Sequence, residues 1–409
     1  MSKSTFFTGQ PVFSQLLSLI PRSLIKQLVT EHQSDRYCKK FKAYDHLVSM
    51  LFCGFHQCTS LRELITGLQV NAHRLHHLGI RFTPRRSTLS DANKRRSCVF
   101  FEKLFHRLNK HYYGSLPDSL HKRKLSDKLF ILDSTTVTLF SDVFKGLGSF
   151  GLNGKKKGGV KAHMLVKAKD QVPCFVYLGA AKQNDRIIMP KLKLPAGSVI
   201  VMDKAYNGYR SMLAWSKESI TWVTRMKSDA VWQTEQERTL TDQHRKMGIR
   251  SDRVILLGNP KTQKLNPLQK VRLVTFYDRT TDREFFFICN NMQYSPLTIA
   301  GIYKRRWEIE LLFKRIKQNF QLHDFLGDNQ NAIQIQLWCT LIADLLIKII
   351  KDKVDKRRKA KWSFANLAGL IRLHLATYID LVKFLLNPEK AILAYVEETQ
   401  TYQLALFKT

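Results

Sequence analysis

The sequence predicts an α/β multidomain protein in which a mixed-sheet core carries a β-rich insertion and is flanked by helical N- and C-terminal regions. Three observations carry this. Apolar residues recur at helical spacing over residues 1–113, as in Phe13, Leu16, Leu17 and Ile20, and again in Leu47, Met50, Leu51 and Phe55. From 129 onward, short β-branched and apolar runs alternate with segments of helical pattern. After Ser295-Pro296 the helical period returns, to about Phe320 and again over 332–351.

The 409 residues are too many for one ordinary core. With 44% hydrophobic residues, real cores can be buried. The 67 Lys and Arg against 33 Asp and Glu leave a net charge of +34, and self-repulsion of that size points to a polyanionic partner, a nucleic acid. Seven scattered cysteines, an odd number, read as reduced thiols. Cys53, His56 and Cys58 stand close, but no second pair follows at zinc-finger spacing. The N-terminus lacks a signal-type apolar core, and the longest apolar run, 337–350, is too short to span a bilayer and carries Asp344. A soluble cytoplasmic protein without membrane association is expected.

Along the chain, RRSTLSDANKRR (85–96) reads as a helix with Ser87 at its N-cap. Its flanking Arg85, Arg86, Arg95 and Arg96 suit a DNA backbone; a solvated charged helix is the plain alternative. Residues 114–127, with Pro117 and Lys122-Arg123-Lys124, read as a linker. LFILDSTTVTLF (129–140) is a strand, GGVKAHMLVKA (158–168) and PCFVYLGAAK (173–182) a hairpin, and SVIVM (198–202) and ITWVTRMK (220–227) further strands. Segments 185–194 and 207–217 are candidate helices. VILLG (254–258), VRLVTFYD (271–278) and REFFFICNN (283–291) make the next stretch β-rich. KDKVDKRRKAKW (351–362) is a basic linker or exposed helix end, and the tail from Ser363 is helical. The domains are therefore 1–113, helical and DNA-binding; 125–228, the first part of the core; 229–295, the insertion; 296–330, the second part of the core; and 331–409, helical and suited to oligomerisation.

Asp133 lies inside a strand predicted to be buried, where an acid is costly unless paired or metal-bound. Asp203 follows directly on the apolar run SVIVM, and the C-terminal ends of α/β strands are common sites. In IYKRRWEIELLFKRIKQNF (302–320), Tyr303, Arg306, Glu310 and Lys317 fall within about 60° of helical arc. Ile309, Leu312, Phe313, Ile316 and Phe320 form the adjacent apolar stripe. An ordinary amphipathic helix with an Arg306–Glu310 salt bridge would show the same spacing.

Tyr303-x2-Arg306-x3-Glu310-x6-Lys317 matches the signature of the insertion-sequence family 4 DDE transposases, and Trp307, Ile309 and Phe313 fit its wider pattern. DST at Asp133 and DKAYNGY at Asp203 resemble that family's two catalytic-Asp motifs, GGVKAHMLV its second strand, and residues 10–90 its preceding helical domain. The resemblance implies an RNase H-like core with catalytic, metal-binding Asp133, Asp203 and Glu310. It further implies Mg²⁺ as cofactor, with Mn²⁺ able to substitute, and carboxyl groups about 4–8 Å apart, as a two-metal spacing near 4 Å requires. Tyr303, Arg306 and Lys317, with Trp307 and Lys314, would grip DNA along an open basic groove. The partners implied are terminal inverted repeats and target DNA, with a homodimer in a nucleoid-associated synaptic complex. An aromatic of the insertion, from Trp232, Phe285, Phe286 and Phe287, is a candidate to stack on a flipped base, and His163 and Lys161 share one strand face near the site. A nuclease without strand transfer and a non-catalytic DNA-binding derivative are the alternatives.

Overall fold

A computed structural model of the chain describes residues 9–390 apart from 79, 81, 115–118, 139–148, 151–155, 158, 265, 321–324 and 328. The strand end read at 139–140 and the helical tail read at 391–409 lie outside the described residues. The chain forms two compact units: 113–314, and 1–112 together with 315–409.

The unit 113–314 is built on a nine-stranded sheet. Its strands are β1 (Leu129–Thr138), β2 (Gly159–Lys167), β3 (Val172–Ala180), β4 (Val199–Met202), β5 (Thr221–Arg225), β6 (Trp232–Glu237), β7 (Ile249–Leu257), β8 (Gln269–Asp278) and β9 (Arg283–Cys289), in the order β3-β2-β1-β4-β5-β9-β8-β7-β6. β1 runs antiparallel to β2 and parallel to β4, and β4 runs parallel to β5. This five-strand arrangement is the RNase H-like core. Leu129, Phe130, Ile131 and Leu132 are all fully buried. A strand with sheet on both sides and both faces covered reads as such a continuous apolar run. Phe130, Leu132, Ile200, Met202 and Trp222 share one core cluster with Ile255, Leu257, Val271, Leu273 and Ile288.

The insertion does not fold apart from this sheet. β9 pairs with β5, Cys289 opposite Val223, and β8, β7 and β6 continue outward. β6 escaped the sequence reading because Trp232–Glu237 is polar and mostly exposed, as befits an edge strand. Arg272 on β8 and Asp252 on β7 form a buried pair, with Nε–Oδ1 at 3.0 Å and Nη2–Oδ2 at 2.5 Å. Arg272 Nη1 also donates to the Tyr294 carbonyl, fixing the turn that leads into the next helix.

That helix departs from expectation. The sequence suggests one helix from Pro296 to Phe320, but there are two, Pro296–Lys304 and Trp307–Asn319. At the junction the backbone closes tighter turns, with Arg306 N–H on the Tyr303 carbonyl and Glu308 N–H on that of Arg305. Ser295 caps the first helix by accepting from Thr298 N–H at 3.0 Å.

In the helical unit, Gln330–Asp355 is the central helix, packed by Ala43–His56, Arg86–Arg95, Phe364–His374 and Leu381–Leu386. The N- and C-terminal helical regions therefore share one core. The central helix is longer than its apolar run suggested, and by length and composition it could cross a membrane. However, 89% of its most apolar window is buried within the protein, as in a core helix. Its buried Asp344 accepts both prongs of Arg315, at 3.0 and 2.8 Å. The basic helix begins at Arg86, with Arg85 rather than Ser87 at its N-cap. All seven cysteines are free thiols.

Removing Asp252 would strand the fully buried Arg272 charge. Asp252→Ala should therefore lower unfolding stability by about 3–5 kcal/mol, read from the shift of a urea denaturation curve.

Candidate active site

The sheet register places the first two acids. The parallel β1–β4 ladder ends at Leu132 opposite Met202, and the β4–β5 ladder ends at Met202 opposite Thr224. Asp133, Asp203 and Arg225 follow directly on those last pairs: Asp133 lies mid-strand, where β1 runs on against β2 alone, and Asp203 just past the end of β4, at the finish of the parallel pairing where open α/β sheets bind ligands. Asp203 leaves its strand as the cap of a short turn, accepting from Ala205 N–H at 3.0 Å, and takes Arg225 Nη2 at 3.5 Å. Asn207 ties that turn to β5 by donating to the Arg225 carbonyl at 2.9 Å and accepting from Thr224 Oγ1 at 3.0 Å.

The third acid arrives from the signature helix. Arg306 Nη1 donates to Asp133 Oδ2 at 2.5 Å, and Arg306 Nη2 to Glu310 Oε1 at 2.7 Å. One guanidinium thus joins sheet acid and helix acid. Burial raises the Asp133 carboxyl to about 6; Arg306 and the Ser134 N–H pull it down, while the charges of Asp203 and Glu310 push it up. Those last two influences show all three carboxylates sharing one electrostatic neighbourhood. Burial works against the Arg306 charge, but Asp133 and the other neighbouring anions outweigh it and raise its pKa.

The open-groove expectation fails for two residues. Tyr303 is only 7% exposed and Arg306 only 9%. Tyr303 stacks on Phe287, centroids 4.7 Å apart, and the Arg225 and Arg306 guanidiniums each lie 5.8 Å from its ring centre. Arg306 is drawn inward by the carboxylates it bridges. The Tyr303 hydroxyl is buried without a well-formed hydrogen bond among the described residues. Trp307 is 62% exposed, and Lys314 is exposed too. Lys317 is half-buried within the helical unit, and burial lowers its pKa. Arg85, Arg86 and Arg95 are exposed, but Arg96 is not available to DNA. It is buried, donating to the Ser34 and Phe41 carbonyls at 3.2 and 2.8 Å and to Cys38 Sγ.

His163 sits opposite Ser134 in the β1–β2 register, fully buried, with Nδ1 2.8 Å from the Tyr206 hydroxyl. Burial lowers its pKa to about 4, so it is neutral at pH 7. Lys161 pairs with Asp185 at 2.6 Å. Neither Tyr206, although it stands in the DKAY motif, nor Arg225 carries an independent sign in the sequence. Of the candidate stacking aromatics, Phe287 is buried, Phe285 and Trp232 are partly buried, and Phe286 is exposed.

Three carboxylates are a donor set suited to hard divalent cations. Among the described residues, no three acids, histidines or cysteines stand close enough to hold an ion as they are. The expected approach about a shared ion is replaced, for Asp133 and Glu310, by a bridge through Arg306. The donor chemistry and convergence fit a cation that takes the place of that guanidinium charge.

A site of this kind, on this sheet, defines a class of DNA-cleaving and strand-transferring enzymes. Residues 124–346 match the family described as "Transposase DDE domain", and the chain belongs to that family, within the insertion-sequence family 4 group. Residues 8–81 match a "Domain of unknown function". The chain is 30% identical over 268 residues to "Putative transposase y4zB" of Sinorhizobium fredii, covering 65% of this chain and 72% of the relative. It is 26% identical to "Probable transposase for insertion sequence element IS5377" of Geobacillus stearothermophilus, over 58% of this chain and 60% of that one. It is also 26% identical to "Putative transposase for insertion sequence element IS4SA" of a Synechocystis species, over 64% and 71%. The family implies dependence on a divalent metal and DNA as partner.

Because the Tyr303 hydroxyl gains little from its surroundings, Tyr303→Phe should leave thermal stability unchanged or raise it by up to about 1 kcal/mol. A marked fall in melting temperature would show instead that the hydroxyl holds the fold.

Proposed function

We propose that this protein is a cut-and-paste transposase that nicks DNA at the terminal inverted repeats of its element and joins the freed ends to target DNA. The observation that carries this reading is the convergence of Asp133, mid-strand in β1 where its parallel pairing stops, and Asp203, just past the end of β4, with Glu310 through Arg306. Asp133, Asp203 and Glu310 would hold two Mg²⁺ ions, with Mn²⁺ able to substitute. Bound there, the ions would activate water or a 3′-hydroxyl and stabilise the leaving oxygen.

The chain's own residues do the rest. Arg306 neutralises Asp133 and Glu310 while no other cation does so. Once those carboxylates are otherwise compensated, its planar fork of N–H donors is free for a phosphodiester. Trp307 and Lys314, both exposed on the same helix, and Lys317 further along would extend the DNA surface. The helical N-terminal region, through Arg85, Arg86 and Arg95, would bind the repeats. The protein would work as a homodimer in a synaptic complex on the nucleoid, in the cytoplasm. A hairpin intermediate on the excised end belongs to the same proposal.

Incubating the protein with its element's ends and Mg²⁺ and mapping the cut strands tests this. Asp133→Asn, Asp203→Asn and Glu310→Gln should each abolish cleavage while leaving end binding within a few-fold, because carboxylates add nothing to phosphate affinity. Near-normal cleavage by any one of them would remove that residue from the site.

Binding itself should weaken steeply with salt, as counterion release requires of so basic a protein. A salt-independent affinity would contradict a phosphate-dominated interface.

A further inference from the structure

The segment matching a domain of unknown function, with Phe82 just beyond it, borders an open cavity of about 610 Å³, within the size range of small-ligand sites, roughly 300–1,000 Å³. Its lining includes Arg22, Lys26, Lys40 and Lys42, against the acids Asp35 and Asp45. Both acids are engaged by backbone: Asp35 accepts from Ala43 N–H at 2.6 Å, and Asp45 from Lys42 N–H at 2.9 Å. None of the four cations forms an ion pair among the described residues.

Arg22 is the most built of them. Its guanidinium lies 3.8 Å from the centre of the Tyr44 ring, and Nη2 donates to the Leu78 carbonyl at 2.9 Å. The Tyr44 hydroxyl donates to the same carbonyl at 2.9 Å. A planar cation is thereby fixed in place, with N–H donors left over and no carboxylate to meet them. Arg22, Lys26 and Lys40 are all exposed to solvent. Ile25, Val29 and Phe82 supply apolar wall. One held guanidinium and exposed lysines beside an apolar, partly aromatic wall suit a ligand that joins an anion to a flat apolar body. A nucleotide is such a ligand. The volume is far too small to admit a duplex.

We propose that this cavity binds one unpaired nucleotide of a DNA strand, its phosphate on Arg22 and the neighbouring lysines and its nucleoside against Ile25, Val29 and Phe82. The proposal rests on the reading of the protein as a DNA transposase. It gives the matched segment a function apart from the carboxylates, and a surface different from the Arg86–Arg95 helix.

The test uses the full chain and a dye-labelled 12-residue oligothymidylate, with binding followed by fluorescence anisotropy across a salt series. Arg22→Ala, and the double change of Lys26 and Lys40 to Ala, should each weaken binding about tenfold or more. Each should also flatten the salt slope by about 0.7 per cation removed. Arg62→Ala, an exposed cation outside the cavity, should change affinity less than twofold, and an oligouridylate of equal length should bind more weakly than the DNA. The lysine pair is exposed, so its loss cannot be mistaken for unfolding. Unchanged affinity and slope in both variants, or tighter binding of the oligouridylate, would overturn the proposal. Glu310→Gln protein should bind the oligothymidylate like wild type. Normal end cleavage with unaltered oligonucleotide binding by the variants would therefore defeat the cavity alone and leave the transposase reading standing.

Discussion

The bridge from Arg306 to Asp133 and Glu310 is the interaction on which the site depends. Three carboxylates gathered at the edge of a buried sheet repel one another, and desolvation adds to the cost. A planar, permanently charged fork with one prong on each of two acids offsets both at once. Burial, more than the charges of Asp203 and Glu310, raises the Asp133 pKa despite that partner.

The sheet makes this convergence possible by register alone. Parallel pairing ends at Leu132, Met202 and Thr224, so the next residue of each segment leaves the parallel ladder at one level, although β1 itself runs on against β2. Hydrogen bonds from Asn207 hold the Asp203 turn against β5, and the buried Arg272–Asp252 pair holds the turn before the Pro296–Lys304 helix. The inserted strands are therefore part of the scaffold that aims the signature helix. They extend the core sheet through β9, and Phe287 of that strand is what Tyr303 stacks upon.

Much of this was legible in the sequence. The strands of the core announced themselves as continuous apolar runs, and an aspartate inside one of them was anomalous enough to single out. The spacing of Tyr303, Arg306 and Glu310 pointed to one helix line, although the helix breaks at Arg305–Arg306. That break could not be read because no Pro or Gly marks it; it coincides with a side chain reaching across to the sheet. β6 was missed because a solvated edge strand carries no apolar signal. Arg96 looked like its exposed neighbours, and only the tertiary structure shows it donating to carbonyls of an earlier loop. The joint core of the N- and C-terminal helices was equally invisible, since helical period reveals which face is apolar but not what covers it. Arg225 enters the site by strand pairing and Tyr206 from the turn after Asp203, where its hydroxyl meets His163; a single sequence displays neither contact.

If Arg306 stands where a cation's charge belongs, guanidinium and metal compete for Asp133 and Glu310, and their binding is linked. Calorimetric titration of Mn²⁺ into DNA-free wild-type and Arg306→Ala protein measures that linkage directly. With such competition the variant should bind Mn²⁺ at least about tenfold more tightly, a difference of about 1.4 kcal/mol, and the gain should vanish when Asp133→Asn is added. Equal Mn²⁺ affinity in wild type and Arg306→Ala, or a gain that survives the loss of Asp133, would contradict it.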